Sequence, residues 1–132
     1  MSPDIDETRL SDERPQAYVA RMSNAKYAAI TAALTRSAVV IAADTVVVLE
    51  DDILGKPESR DAGYGMLRRL SGNEHRVLTS VTLGPSDGSN EQFVIETIVR
   101  FRTLTKSECE AYWDTGEPQD KAGGYGIQGI GA

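Results

Sequence analysis

Cysteine and histidine are nearly absent from this 132-residue chain, which has one of each, Cys109 and His75. A lone cysteine excludes an internal disulfide and points to a reducing compartment, so the cytoplasm is the expected location. Without a Cys and His cluster, zinc is unsupported. A nucleophilic triad would have to recruit His75, and nothing in the sequence ties Ser71 or Cys109 to it. His75 therefore reads as a structural or surface histidine and Cys109 as a core thiol. Basic residues are in deficit too: 14 Lys and Arg against 20 Asp and Glu give a net charge of −6. A phosphate-backbone binder needs a broad basic surface, so no nucleic-acid partner is expected. A small phosphorylated ligand needs only a few converging lysines or a carboxylate-held metal ion. The first fourteen residues hold five carboxylates and no apolar run, which argues against a signal peptide, an anchor or any membrane partner. Repeats and low-complexity tracts are missing, and the length suits one domain with one core.

What is present centres on residues 39–57. Two β-branched apolar runs of the kind that fill buried strands flank Asp44 and Thr45. A carboxylate interrupting such a strand costs several kcal/mol unless it meets a cation, a metal or a cleft wall. Glu50-Asp51-Asp52 then forms a polar turn before a short return run ending at Gly55-Lys56-Pro57. A hairpin here would place Lys56 along the strand that holds Asp44.

The rest of the chain reads as alternating helix and strand. Residues 1–14 are loop, and Pro15 suits the first turn of an Ala-rich helix to about Thr35, with Tyr18, Met22, Ala25, Ala29 and Ala32 as its stripe. Lys26 lies beside that stripe, placed to snorkel outward or to reach over a cleft edge. Arg60 to Leu70 is a second helix stopped by Gly72. Residues 75–83 and 92–103 alternate as two strands of an antiparallel hairpin, the first with Val77, Thr79, Val81 and Leu83 on its apolar side. Thr105-Lys106-Ser107-Glu108 has capping-box spacing for a third helix to about Thr115, stopped by Gly116. The segment from Glu117 onward is polar and rich in glycine, implying tight turns or close backbone approach.

Gly124-Tyr125-Gly126-Ile127-Gln128-Gly129 matches the dinucleotide fingerprint G-x-G-x-x-G. No apolar strand precedes it and no downstream acid follows it, so that reading fails on context, and Gly55-Lys56 lacks the remainder of a P-loop. Glu7, with Asp4 and Asp6, lies in an acid-rich loop whose plain reading is a solvated segment, and Lys121 and Gln128 are ordinary surface residues by themselves. Together Glu7, Lys26, Asp44, Lys56, Lys121 and Gln128 are scattered through turns and strand interruptions, as the parts of a composite pocket are.

Several blocks in order carry a family resemblance: Ile5-Asp6-Glu7-Thr8, Tyr18-Val19-Ala20-Arg21 with Lys26, Ala43-Asp44-Thr45-Val46-Val47, Leu54-Gly55-Lys56-Pro57, Met66 to Gly72, His75, Val77 and Thr79, and Gly116-Glu117-Pro118 leading to Asp120-Lys121-Ala122-Gly123 and Tyr125-Gly126-Ile127-Gln128-Gly129. The chain resembles the Maf nucleoside triphosphate pyrophosphatases. The resemblance implies a single Maf-like domain over 1–132, of α/β class, with a mixed twisted sheet, flanking helices and two lobes around a nucleotide cleft, related to the inosine triphosphate pyrophosphatases. It also implies that the family's N-terminal strand, its Ser-x-Ser-Pro-Arg-Arg phosphate loop and its C-terminal elements are lacking, so that the fold is incomplete. The implied activity is hydrolysis of a nucleoside triphosphate, dTTP or UTP, to the monophosphate and pyrophosphate, a cleaning of nucleotide pools. Asp44 is implied as proton acceptor, and Thr45 and Gln128 bear on base choice.

The implied cofactor is a divalent metal, Mg2+ with Mn2+ as alternative. Asp44 and Glu7 are the expected ligands, with Lys26, Lys56 and Lys121 neutralising phosphate oxygens. A carboxylate can hold a metal or activate water, and both roles stay open for Asp44. A homodimer is compatible with this reading. The competing readings are a non-catalytic fragment or regulatory module linked to septum formation, and a pyrophosphatase with a different base preference.

Overall fold

A computed structural model describes residues 2–132. Helix α1 (Pro15–Ala33) begins on its proline, which supplies a helical φ where the missing N–H costs nothing. Strand β1 (Val39–Leu49), strand β2 (Asp52–Leu54), helix α2 (Arg60–Leu70), strand β3 (Glu74–Pro85), strand β4 (Glu91–Arg100) and helix α3 (Lys106–Asp114) follow. Two 3-10 turns at Glu117–Asp120 and Ala122–Gly124 complete the regular structure. The four strands form one sheet in the order β2-β1-β3-β4. β1 and β2 pair antiparallel, with Val47 opposite Leu54 and Leu49 opposite Asp52. Ser86 donates to the Ala38 carbonyl while Thr45 meets Thr79, so partners run in opposite directions and β1 and β3 are antiparallel as well.

The contacts divide the chain into two compact units. The first comprises the chain through Thr45 with Leu78–Glu96. Its core joins Tyr27, Val40 and Ala42, with Ile30 and Leu34 packed alongside. The buried face of α1 is Val19, Met22, Ser23 and Tyr27; of the stripe expected from spacing only Met22 is buried, and the alanines lie off that face. The reason is chemical: Ser23, fully buried, hydrogen-bonds Ser80 at 2.7 Å and Thr82 at 2.8 Å on β3. The inner side of β3 is correspondingly Leu78, Ser80 and Thr82, the side that alternation assigned to the exterior. Gln92 on β4 donates to Thr82 at 2.9 Å and to the Ala20 carbonyl at 2.7 Å, closing the network. Val39 and Ile41 on β1, and Phe93 and Ile95 on β4, are exposed.

The second unit comprises Val46–Val77 and Thr97–Ala132. Its core is Val47, Leu54, Leu67, Leu70, Cys109 and Tyr125. Helix α2 is capped by Ser59, whose hydroxyl accepts from the Ala62 N–H. Gly63 within it faces the Trp113 ring so closely that a Cβ would collide, which is why a helix-weakening glycine is kept there. Helix α3 has the full capping box, Thr105 accepting from the Glu108 N–H at 3.2 Å and Glu108 from the Thr105 N–H at 2.8 Å. The expected hairpin is formed, but its ladder stops at Leu54, so Lys56 lies just beyond the paired residues. Its turn is committed elsewhere: the Gly55 carbonyl accepts from the Gly123 N–H at 3.0 Å.

Candidate active site

In the first unit, the carboxylate within β1 finds its cation. Lys26 Nζ donates to Asp44 Oδ1 at 2.5 Å, with the side chains 21% and 14% exposed. Lys26 comes three residues after Ser23, so the hydroxyl network that sets the rotation of α1 also turns the ammonium toward the sheet. A partly buried pair of this kind keeps its attraction better than a surface pair while remaining reachable from solvent. Thr45 points to the opposite face of β1, where its hydroxyl lies 3.0 Å from that of Thr79.

The acidic segment before α1 is fastened to the same helix. Tyr18 donates its phenol O–H to the Glu7 carbonyl at 2.8 Å. Arg21 donates to the Thr8 carbonyl at 2.9 Å and forks onto both Glu13 oxygens at 2.7 and 2.9 Å. That bidentate hydrogen bond holds the Glu13 carboxyl down at about 2. Burial pushes the Tyr18 phenol up, and the charges of Asp44 and Glu7 push it further.

In the second unit, Lys121 pairs with Asp120. Lys121 Nζ donates to Asp120 at 3.0 Å and holds that carboxyl below the ordinary range, with a smaller contribution from the charge of Lys56. The Gly123 to Gly55 hydrogen bond ties the two lysine-bearing turns together. Gly123 has φ +71°, and a Cβ there would press on the Val47 side chain at 2.9 Å, so no other residue fits without strain. Gln128 is exposed within the turn that follows. A cavity of about 650 Å3 also lies in this unit, lined by residues including Phe101, Cys109, Tyr112 and Ile130, but not by Lys56, Lys121 or Gln128.

Within the first unit the structure joins Lys26 with Asp44 and ties the Glu7 main chain to Tyr18, and within the second it ties together the turns that carry Lys56 and Lys121. Asp44's cation is Lys26, where the hairpin reading had offered Lys56. Sequence reasoning passed over Tyr18 and Arg21 as fasteners of the Glu7 segment, although their spacing of three with Lys26 beyond is a one-sided helical pattern. It also passed over Glu117, which accepts from the Tyr112 phenol, the Ile130 N–H and the Gly131 N–H. No local signal marks those long-range partners. His75 is buried, with Nε2 2.6 Å from the Tyr125 hydroxyl and its ring edge-on to Phe101 and Tyr125, as a structural histidine.

An α/β chain with a lysine-clamped aspartate on a sheet strand and a paired-lysine turn is the class these features define. The family model of Maf-like proteins matches residues 1–132, and the chain belongs to that family. The dTTP/UTP pyrophosphatase of Pseudoalteromonas atlantica is 46% identical over 134 residues, covering 99% of this chain and 69% of that protein. The dTTP/UTP pyrophosphatase of Vibrio parahaemolyticus is 46% identical over 129 residues, covering 98% and 68%. That of Hahella chejuensis is 47% identical over 131 residues, covering 98% and 65%. Among the described residues, no helix is long and apolar enough to cross a membrane.

Proposed function

We propose that this chain hydrolyses dTTP and UTP to the monophosphate and pyrophosphate, with Asp44 and Lys26 at the reacting phosphate. The observation that carries the reading is the 2.5 Å Lys26–Asp44 contact on an interrupted strand. Attack of water on the α-phosphorus brings an oxygen toward several negative oxygens, so the residues must remove a proton and offset charge. Asp44 takes the proton from the attacking water as the new P–O bond forms and pyrophosphate leaves. Lys26 keeps that carboxylate oriented and faces the α-phosphate oxygens. Through the resemblance alone, Lys56 and Lys121 are assigned to phosphate oxygens and Gln128 to the base, its amide offering a donor and an acceptor to the O4 and N3–H edge of uracil or thymine. Thr45 is assigned to base choice through the resemblance alone.

The donor set suits a divalent cation. Among the described residues no three His, Cys, Asp or Glu side chains cluster. Mg2+ requires no such cage, because it retains waters and takes one or two protein carboxylates plus substrate phosphates. Asp44 and Glu7 would supply hard oxygen donors of that kind. The ion, Mg2+ or alternatively Mn2+, would add charge neutralisation at the phosphates. In this reading the chain works in the reducing cytoplasm, where its buried Cys109 stays a thiol.

The test is pyrophosphate release from UTP, dTTP and GTP, with and without Mg2+, by the chain and by Asp44→Asn. The variant is expected to keep the fold and lose at least about a hundredfold in turnover, the scale of a general base. Unchanged turnover would remove Asp44 from the mechanism, and a preference for GTP would overturn the base assignment.

A further inference from the structure

The glycine-rich segment that mimics a dinucleotide fingerprint is built around a carboxylate of the protein itself. Glu117 Oε1 accepts from the Ile130 N–H at 3.0 Å, and Oε2 accepts from the Gly131 N–H at 2.9 Å and from the Tyr112 phenol at 2.5 Å. The Tyr112 oxygen in turn accepts from the Gly126 N–H at 2.9 Å. One carboxylate and one phenol thereby hold both ends of the turn, Gly126 on one side and Ile130-Gly131 on the other. Gln128 sits midway between these anchors. The glycines have a steric reason here: a Cβ at Gly129 would run into the Glu117 carboxylate, and one at Gly131 would meet the Gly126 carbonyl at 2.7 Å and crowd the Tyr112 phenol. Of the backbone donors, the Gly126 N–H within the fingerprint is spent on Tyr112, and those of Ile130 and Gly131 just past it on Glu117.

Tyr112 and Glu117 behave as one hydrogen-bonded unit. The Tyr112 hydroxyl is pushed up to about 12 by burial and by the neighbouring carboxylate, and the phenol, followed by the backbone donors, holds Glu117 below its ordinary range. Across neutral pH the phenol therefore stays a donor and the carboxylate an acceptor.

We propose that Glu117 and Tyr112 are positioning residues for base discrimination, fixing the 126–131 turn so that the Gln128 amide is presented in one orientation. This rests on the reading of Gln128 as the base contact. A side-chain amide tells uracil from cytosine only if its donor and acceptor ends are held, since the two bases exchange donor and acceptor at the same edge. A turn that could rotate would accept either.

The experiment is equilibrium titration of the chain with UMP and with CMP, which needs no turnover, for the parent, Glu117→Gln, Tyr112→Phe and Gln128→Ala. The parent is expected to prefer UMP. Gln128→Ala is expected to erase the preference. Glu117→Gln and Tyr112→Phe are each expected to lower the UMP to CMP ratio about tenfold, the worth of one or two positioned hydrogen bonds, with CMP binding unchanged. A ratio kept by both variants while Gln128→Ala loses it overturns the positioning role alone, as does an equal weakening of both nucleotides. A ratio kept by Gln128→Ala overturns the base-contact reading, and the positioning role with it. Should Glu117→Gln fail to fold, Tyr112→Phe removes a single oxygen from a ring that stays in place and is read in the same way.

Discussion

His75 shows at the scale of one residue how burial sets a charge state. Its Nε2 is engaged with Tyr125, while Nδ1 is buried without a hydrogen-bond partner among the described residues. Burial alone lowers its pKa from the ordinary value near 6.5. The sign follows: below about 6.5 the unfolded chain takes a proton that the folded one resists, so stability is lost as pH falls and regained as it rises. Urea unfolding between pH 7.5 and 5.5 is expected to show this decline, and His75→Phe to reduce it; an identical slope in the variant would assign the effect to other groups. Residue-level legibility was uneven. Asp44 could be singled out because an acid inside an apolar strand contradicts its surroundings. Its partner could not, because Lys26 and Lys56 are equally plausible until the helix rotation is known. Glu117 looked ordinary for the same reason, its role residing in donors thirteen and fourteen residues downstream.

At the scale of elements, what is local was readable and what is tertiary was not. The Pro15 start of α1, the Thr105 capping box of α3 and the positive-φ stops at Gly72 and Gly116 are encoded within a few residues of where they act. The inner faces of α1 and β3 were misassigned, because Ser23, Ser80 and Thr82 look like exterior residues until they meet across 57 and 59 residues of chain. Every buried hydroxyl has partners: Ser23 meets the Ala20 carbonyl, Ser80, Thr82 and Gln92, and Thr82 also accepts from Gln92. Apolar groups would have packed α1 on the sheet without fixing its rotation; hydroxyls fix it. Thr82→Val, similar in shape but without the oxygen, is expected to cost about 1–3 kcal/mol in urea unfolding by leaving a buried lone pair unfilled. A neutral result would mean that the network contributes nothing beyond packing.

For the molecule as a whole, the exposed apolar residues govern behaviour in solution. Val39 and Ile41 on β1 are 74% and 69% exposed, and β4 is an edge strand carrying exposed Phe93 and Ile95. Such an edge invites pairing with another chain. Concentration-dependent self-association is therefore expected in sedimentation velocity, and Ile41→Lys is expected to reduce it; a monodisperse monomer at high concentration would contradict this. Legibility at this scale came from the ordered blocks, which carried the family and with it the expectation of two lobes, while length and composition alone speak only of one core. Because the Gly123 N–H is bonded to the Gly55 carbonyl at 3.0 Å, the backbones that carry Lys56 and Lys121 are tied to each other, while each ammonium swings on its own four-carbon stem. A side chain forced into the left-handed position at 123 would therefore disturb the main chain beneath both lysines at once.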